Sequence, residues 1–142
     1  MGANVSVRWP GINQSEEDDQ PSFAQDCHAY ADWIARVKSS WLASWNLRLH
    51  GLSALLSVFP SEVPEEAISW TTPSALESAA ESLRHSLTES VPFALKIARI
   101  YVRGPGVAPA HIELAADLAD VARIGKYARD HGAQKVSLSV GW

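Results

Sequence analysis

The sequence contains a single cysteine, Cys27, in 142 residues. An internal disulfide is therefore excluded, and so is a zinc site built from several cysteines. No uninterrupted apolar run reaches the ~18 residues of a membrane span, and no basic-then-apolar segment follows Met1. Neither a spanning helix nor a secretory signal is expected, and the expected location is the cytoplasm. Linear catalytic signatures are missing too: there is no dinucleotide or nucleotide glycine loop, no zinc-protease pair, no nucleophile elbow and no C-x-x-C. Gly104-Pro-Gly106 is short and proline-locked and reads as a hairpin turn. The five histidines (His28, His50, His85, His111 and His131) are scattered, and none stands three or four residues from another, so no local metal site is implied. Cys27 and His28 are adjacent, which on a helix turns them about 100° apart and prevents one from activating the other. No cofactor is expected.

What the chain does have is the composition of one globular domain spanning 1–142, with 46% hydrophobic and 20% charged residues. There are 16 acidic and 12 basic residues, a net charge of −4 at pH 7. Residues 1–90 hold 12 acids and 5 bases, whereas residues 91–142 hold 4 acids and 7 bases. A negative total argues against nucleic acid as a partner, since phosphate neutralisation supplies most of that affinity. It suits a basic partner, or solubility alone.

The element signals are uneven. Val5, Val7 and Trp9 alternate with polar residues, as do Val136, Leu138, Val140 and Trp142, and both stretches read as strands. Glu16, Glu17, Asp18 and Asp19 form a self-repelling block expected in a solvated loop. Phe23, Cys27, Tyr30, Ile34, Val37, Trp41 and Trp45 recur at steps of three and four, which predicts one long amphipathic helix near 22–45. Trp33 lies beside that stripe. Leu52, Leu55, Leu56 and Phe59 fit a short helix, while Leu47 and Leu49 also suit a strand. Ser74 and Glu77 have the spacing of a capping box at the start of a helix that runs to about Glu89. Ile97, Ile100, Tyr101 and Val102 favour a strand across 93–103, although Lys96, Arg99 and Arg103 are also spaced like a helix face. Leu118, Val121, Ile124 and Ala128 mark a helix stopped at Gly132. The expected fold class is α+β: a small antiparallel or mixed sheet, built from the terminal strands and a hairpin near 95–115, covered on one face by three or four helices.

Six tryptophans are the compositional outlier. Trp9, Trp41, Trp45 and Trp142 fall on predicted inward faces and read as core. Trp33, displaced from the stripe, and Trp70, in a proline-flanked acidic stretch, fit core and interface equally well, and so are the candidates for an exposed contact surface, where tryptophan is enriched. With them go the acids of two predicted loops: Glu16, Glu17, Asp18 and Asp19, then Glu62, Glu65 and Glu66. This set would recognise a basic protein surface, with the charges speeding encounter and the aromatics prolonging it.

In its profile of small size, acidity, high tryptophan content and absent motifs, the chain resembles the small acidic immunity proteins that bacteria make against cognate toxins. That resemblance implies a non-catalytic cytoplasmic protein that occludes the active site of a basic toxin domain. Two other readings stand beside it. One is a small enzyme or ligand binder with a pocket between sheet and long helix, using Tyr30, His28 or His111. The other is a structural subunit that forms a homodimer through a sheet edge or the tryptophan-rich helix.

Overall fold

A computed structural model describes residues 4–8, 27–60, 70–98 and 110–141. In chain order the elements are β1 (Asn4–Arg8), α1 (His28–Lys38), α2 (Trp41–Leu49), a 3-10 turn (Ser53–Leu56), β2 (Val58–Pro60), α3 (Pro73–Thr88), α4 (Pro92–Ala98), α5 (Ala110–Asp130) and β3 (Ser137–Gly141). The protein is mostly helical, and this corrects the expected α+β arrangement of a sheet with helices laid over it. The strands are only 5, 3 and 5 residues long. β3 lies between the other two, antiparallel to β1 and parallel to β2, and the core is instead organised by helix-on-helix contact. The most extensive pairing of elements is α3 against α5.

That pairing is close because Gly125 has no side chain: a Cβ there would lie 2.8 Å from the Pro73 carbonyl oxygen and 3.0 Å from the Glu77 nitrogen. Any larger residue would push α5 off the first turn of α3. Leu76, Ala79, Leu83 and Leu87 from α3 then meet Leu114, Leu118, Val121 and Ile124 from α5 in one buried cluster.

Three further expectations are corrected. The long helix near 22–45 is two helices, because Ser39 and Ser40 interrupt it. Ser40 is extended (φ −112°, ψ 113°) and its hydroxyl accepts a hydrogen bond from the Ala43 amide, while the Ser39 hydroxyl donates to the Arg36 carbonyl. Serines compete with the helix backbone for hydrogen bonds, so a pair of them stops one helix and caps the next. No hairpin strand forms at its start near 95: residues 92–98 are α4, and α5 begins at Ala110. Pro92 opens α4, a position where proline loses no helical hydrogen bond. Residues 99–109 lie outside the described residues. Finally, α3 is capped by Thr72, whose hydroxyl accepts from the Ala75 amide, with Pro73 as the first helical residue; Ser74 is inside the helix rather than its cap.

Three helices end in the same way. Gly51 (φ 71°), Ser90 (φ 55°) and Gly132 (φ 79°) take left-handed backbone conformations just past α2, α3 and α5. The amide after each donates five residues back: Leu52 to Leu47, Val91 to Ser86 and Ala133 to Ala128. These are Schellman stops, which satisfy carbonyls that a helix end leaves orphaned. Ser90 bears a cost there that the two glycines do not.

Candidate functional site

α1 carries the centre of the core. Tyr30, Trp33, Ile34 and Val37 are completely buried, and the two aromatic rings lie 6.0 Å apart, tilted by 44°. Their polar ends are satisfied by backbone: the Tyr30 hydroxyl donates to the Leu55 carbonyl at 2.8 Å, and Trp33 Nε1 to the Ile97 carbonyl at 3.1 Å. Burial pushes the Tyr30 phenol far above the ordinary tyrosine range, with the neighbouring Cys27 thiol adding in the same direction. Trp33 is therefore corrected from a contact residue to a core residue. Tyr30 is equally closed off, and the side chains of His28 and His111 lie outside the described residues.

Cys27, Asp117 and Asp120 bring three potential ligand atoms within 4.8 Å of one another. The structure gives this group a different use. Cys27, the residue preceding α1, offers no side-chain cap, and Asp117 Oδ2 from α5 accepts from the Tyr30 amide at 2.9 Å instead. A carboxylate borrowed from another helix thus caps α1, where its charge also complements the helix dipole. Asp120 pairs with Arg123 at 3.3 Å.

α2 behaves differently. At about 100° per residue, Trp41, Leu42, Trp45 and Leu49 share an arc of about 100° opposite Ala43 and Leu47. Ala43 and Leu47 are buried against the core, while Trp41, Leu42, Trp45 and Leu49 are 78%, 61%, 48% and 63% exposed. The indoles of Trp41 and Trp45 stack on each other, 6.1 Å apart and 10° from parallel. A helix apolar on both sides is one that expects cover on both sides. Single exposed apolar residues are ordinary, but four large ones side by side form a patch of the kind that marks an interaction surface. Trp41 and Trp45 are thus corrected from core to surface. The sign of this was available in the segment Trp41–Leu49 alone, which has apolar residues on two opposite sides of the helix, but it is hidden when the stripe is read as continuous with α1.

Beside this face an open cleft of about 400 Å³ separates the α1–α2 corner from the strand leading into α3. Among the described residues Lys38, Ser44, Arg48, Ser53, Trp70 and Thr71 line it, and none of the described lining residues is a carboxylate. Lys38 Nζ donates to the Val58 carbonyl at 2.7 Å, which fixes the ammonium in place. Partial burial there lowers its pKa from the ordinary lysine value. Trp70 is half-buried, with Lys135 Nζ 5.0 Å from the centre of its ring. Of the residues read from sequence as a contact set, Trp70 is thus at a cleft and Trp33 is inside. Glu16, Glu17, Asp18, Asp19, Glu62, Glu65 and Glu66 lie outside the described residues, as do Trp9 and Trp142.

Comparison with protein-family models, with curated proteins and with solved structures finds no match to this chain. Its function is argued from the geometry above. Among the described residues, no helix is long and apolar enough to cross a membrane.

Proposed function

We propose that this protein is a protein-binding module with no catalytic chemistry of its own, and that it grips its partner through the outward face of α2. The observation that carries this reading is the exposure of Trp41, Leu42, Trp45 and Leu49 together on two turns of helix. Burying such a face removes a large apolar area from water, and stacked aromatics are the side chains that most often dominate binding energy. No carboxylate occurs between Trp41 and Leu49, so the anchor is hydrophobic. The net charge of −4 acts at longer range, drawing in a basic partner and fixing its approach.

In its specific form the proposal is an immunity protein acting in the cytoplasm, which seats α2 on a cognate toxin domain and blocks access to its active site. Size, acidity and tryptophan content support this form, and a sole cysteine, Cys27, buried at the start of α1, fits a reducing compartment.

The test compares two baits, wild type and the double variant Trp41→Ser with Trp45→Ser, in extracts of the source organism. Expected is one protein retained in stoichiometric amount by the wild type and lost from the variant, with the circular dichroism spectrum of the bait unchanged. Equal retention by both baits would reject α2 as the contact surface. Retention of an acidic rather than a basic protein would reject the toxin form of the proposal while leaving the module intact.

A further inference from the structure

The cleft beside α2 has a makeup that protein contact does not require. Its two cations come from different helices: Lys38 ends α1 and Arg48 sits in the last turn of α2. Cations are favoured at helix ends by the dipole, which explains their presence but not their convergence on one depression. Three ion pairs join described residues: Arg84 with Glu81, Arg123 with Asp120 and Arg129 with Glu77. Neither Lys38 nor Arg48 belongs to them, and the described residues of the cleft wall beside them include the hydroxyls of Ser53 and Thr71. Among the described residues, the Ser53 and Thr71 hydroxyls make no hydrogen bond, so both are available as donors to something in the cleft. Lys38 is held by a single carbonyl, at 2.7 Å, leaving two of its three N–H groups to point elsewhere. A third cation, Lys135, stands over the Trp70 ring at the edge.

We propose that this cleft binds a phosphomonoester of metabolite size, with the phosphate between Lys38, Arg48 and the two hydroxyls and a flat ring against Trp70. The charge fits a dianion rather than a neutral ligand: two cations line one cleft, neither is in an ion pair among the described residues, and their hydrogen bonds to a phosphate are of the strong, charge-assisted kind. Arginine's planar fork matches phosphate oxygens in pairs, and two hydroxyls serve the oxygens that remain. The volume of about 400 Å³ is that of a small-molecule pocket and far exceeds what phosphate alone fills, which leaves space for an organic body. Trp70 offers that body its one aromatic wall. The cleft borders the exposed tryptophans on α2 but neither Trp41 nor Trp45 lines it, so its ligand is tested separately from the partner-binding proposal.

The test is a titration of the 15N-labelled full chain with phenyl phosphate, inorganic phosphate and benzoate in separate arms, at constant ionic strength and without phosphate buffer. Expected are saturable shifts of the Trp70 indole N–H and of the Ser53 and Thr71 amides. Phenyl phosphate should bind more tightly than inorganic phosphate, and benzoate most weakly. Arg48 is exposed and its loss disturbs no packing, so Arg48→Met should keep the wild-type spectrum and weaken phenyl phosphate by about tenfold, as loss of one charge-assisted contact predicts. Ser53→Ala should weaken it by a smaller factor, about threefold. Absence of saturable shifts up to about 10 mM would overturn the site. So would equal affinity in Arg48→Met, or shifts spread over basic residues elsewhere, either of which means an adventitious ion only. Benzoate binding more tightly than phenyl phosphate would overturn the phosphate assignment.

Discussion

α1 and α2 are consecutive helices of 11 and 9 residues, both rich in large apolar side chains, and they place them in opposite surroundings. α1 puts Tyr30, Trp33, Ile34 and Val37 wholly inside. α2 commits only Ala43 and Leu47 to the core and leaves two tryptophans and two leucines in water. α2 is therefore held by the Ser40 cap at one end, the Gly51 stop at the other, and Ala43 and Leu47 packed beneath. The side chains that would stabilise a core helix most are the ones it leaves out. Residues kept at the surface at such a cost in hydration are the ones on which the proposed partner contact rests.

The comparison is broken most severely inside α1. Trp33→Ala should cost about 3–5 kcal/mol, the range for removing a large buried aromatic, and should also orphan the Ile97 carbonyl. Urea unfolding would measure it, and a loss below about 1 kcal/mol would mean that Trp33 is not at the centre of the core. Tyr30→Phe keeps the ring but strands the Leu55 carbonyl in an apolar interior, and should cost about 1–3 kcal/mol in the same assay.

A finer probe is Asp117→Ala, which removes the cap that α5 lends to α1. About 1 kcal/mol should be lost, and hydrogen exchange should quicken first at the Tyr30 amide. Equal exchange in wild type and variant would show that α1 needs no borrowed cap. The smallest effect on folding belongs to α2: Trp41→Ser with Trp45→Ser should change stability by no more than about 0.5 kcal/mol, as expected of exposed positions. A larger loss would place the indole pair in the stability of the monomer and erase the contrast between the helices.

Much of this contrast is written in the sequence, though not in its most regular feature. Periodicity located the apolar residues from Cys27 to Trp45 on a helical stripe, and the stop at Gly132 is visible as a glycine after the last periodic residue. What periodicity does not reveal is the two-serine break, because Ser39 and Ser40 are also what a solvated helix face looks like. Once the chain turns there, a stripe that points inward at Val37 points outward at Trp41. Likewise Ile97 has a strand former's side chain but lies in α4, since Pro92 starts a helix and the burial of Ala94, Ile97 and Ala98 against the core outweighs local preference. The cap of Thr72 was masked by a better-looking motif two residues later. The cleft was legible only in Trp70, because Lys38, Arg48, Ser53 and Thr71 are brought together by tertiary contact and share no spacing. Trp33 shows the converse: its offset from the stripe was real, but core lay on that side as well, supplied by α4 from more than sixty residues away.

The placement of β3 between β1 and β2 has a consequence for synthesis. Both outer strands leave the ribosome long before the segment they pair with, and each depends on it for its register. Until β3 is made neither has the partner it has in the folded sheet, so the sheet cannot form before residues 137–141 are available. Residues 137–141 thus act as a clasp, tying together two strands that lie far from them and from each other along the chain.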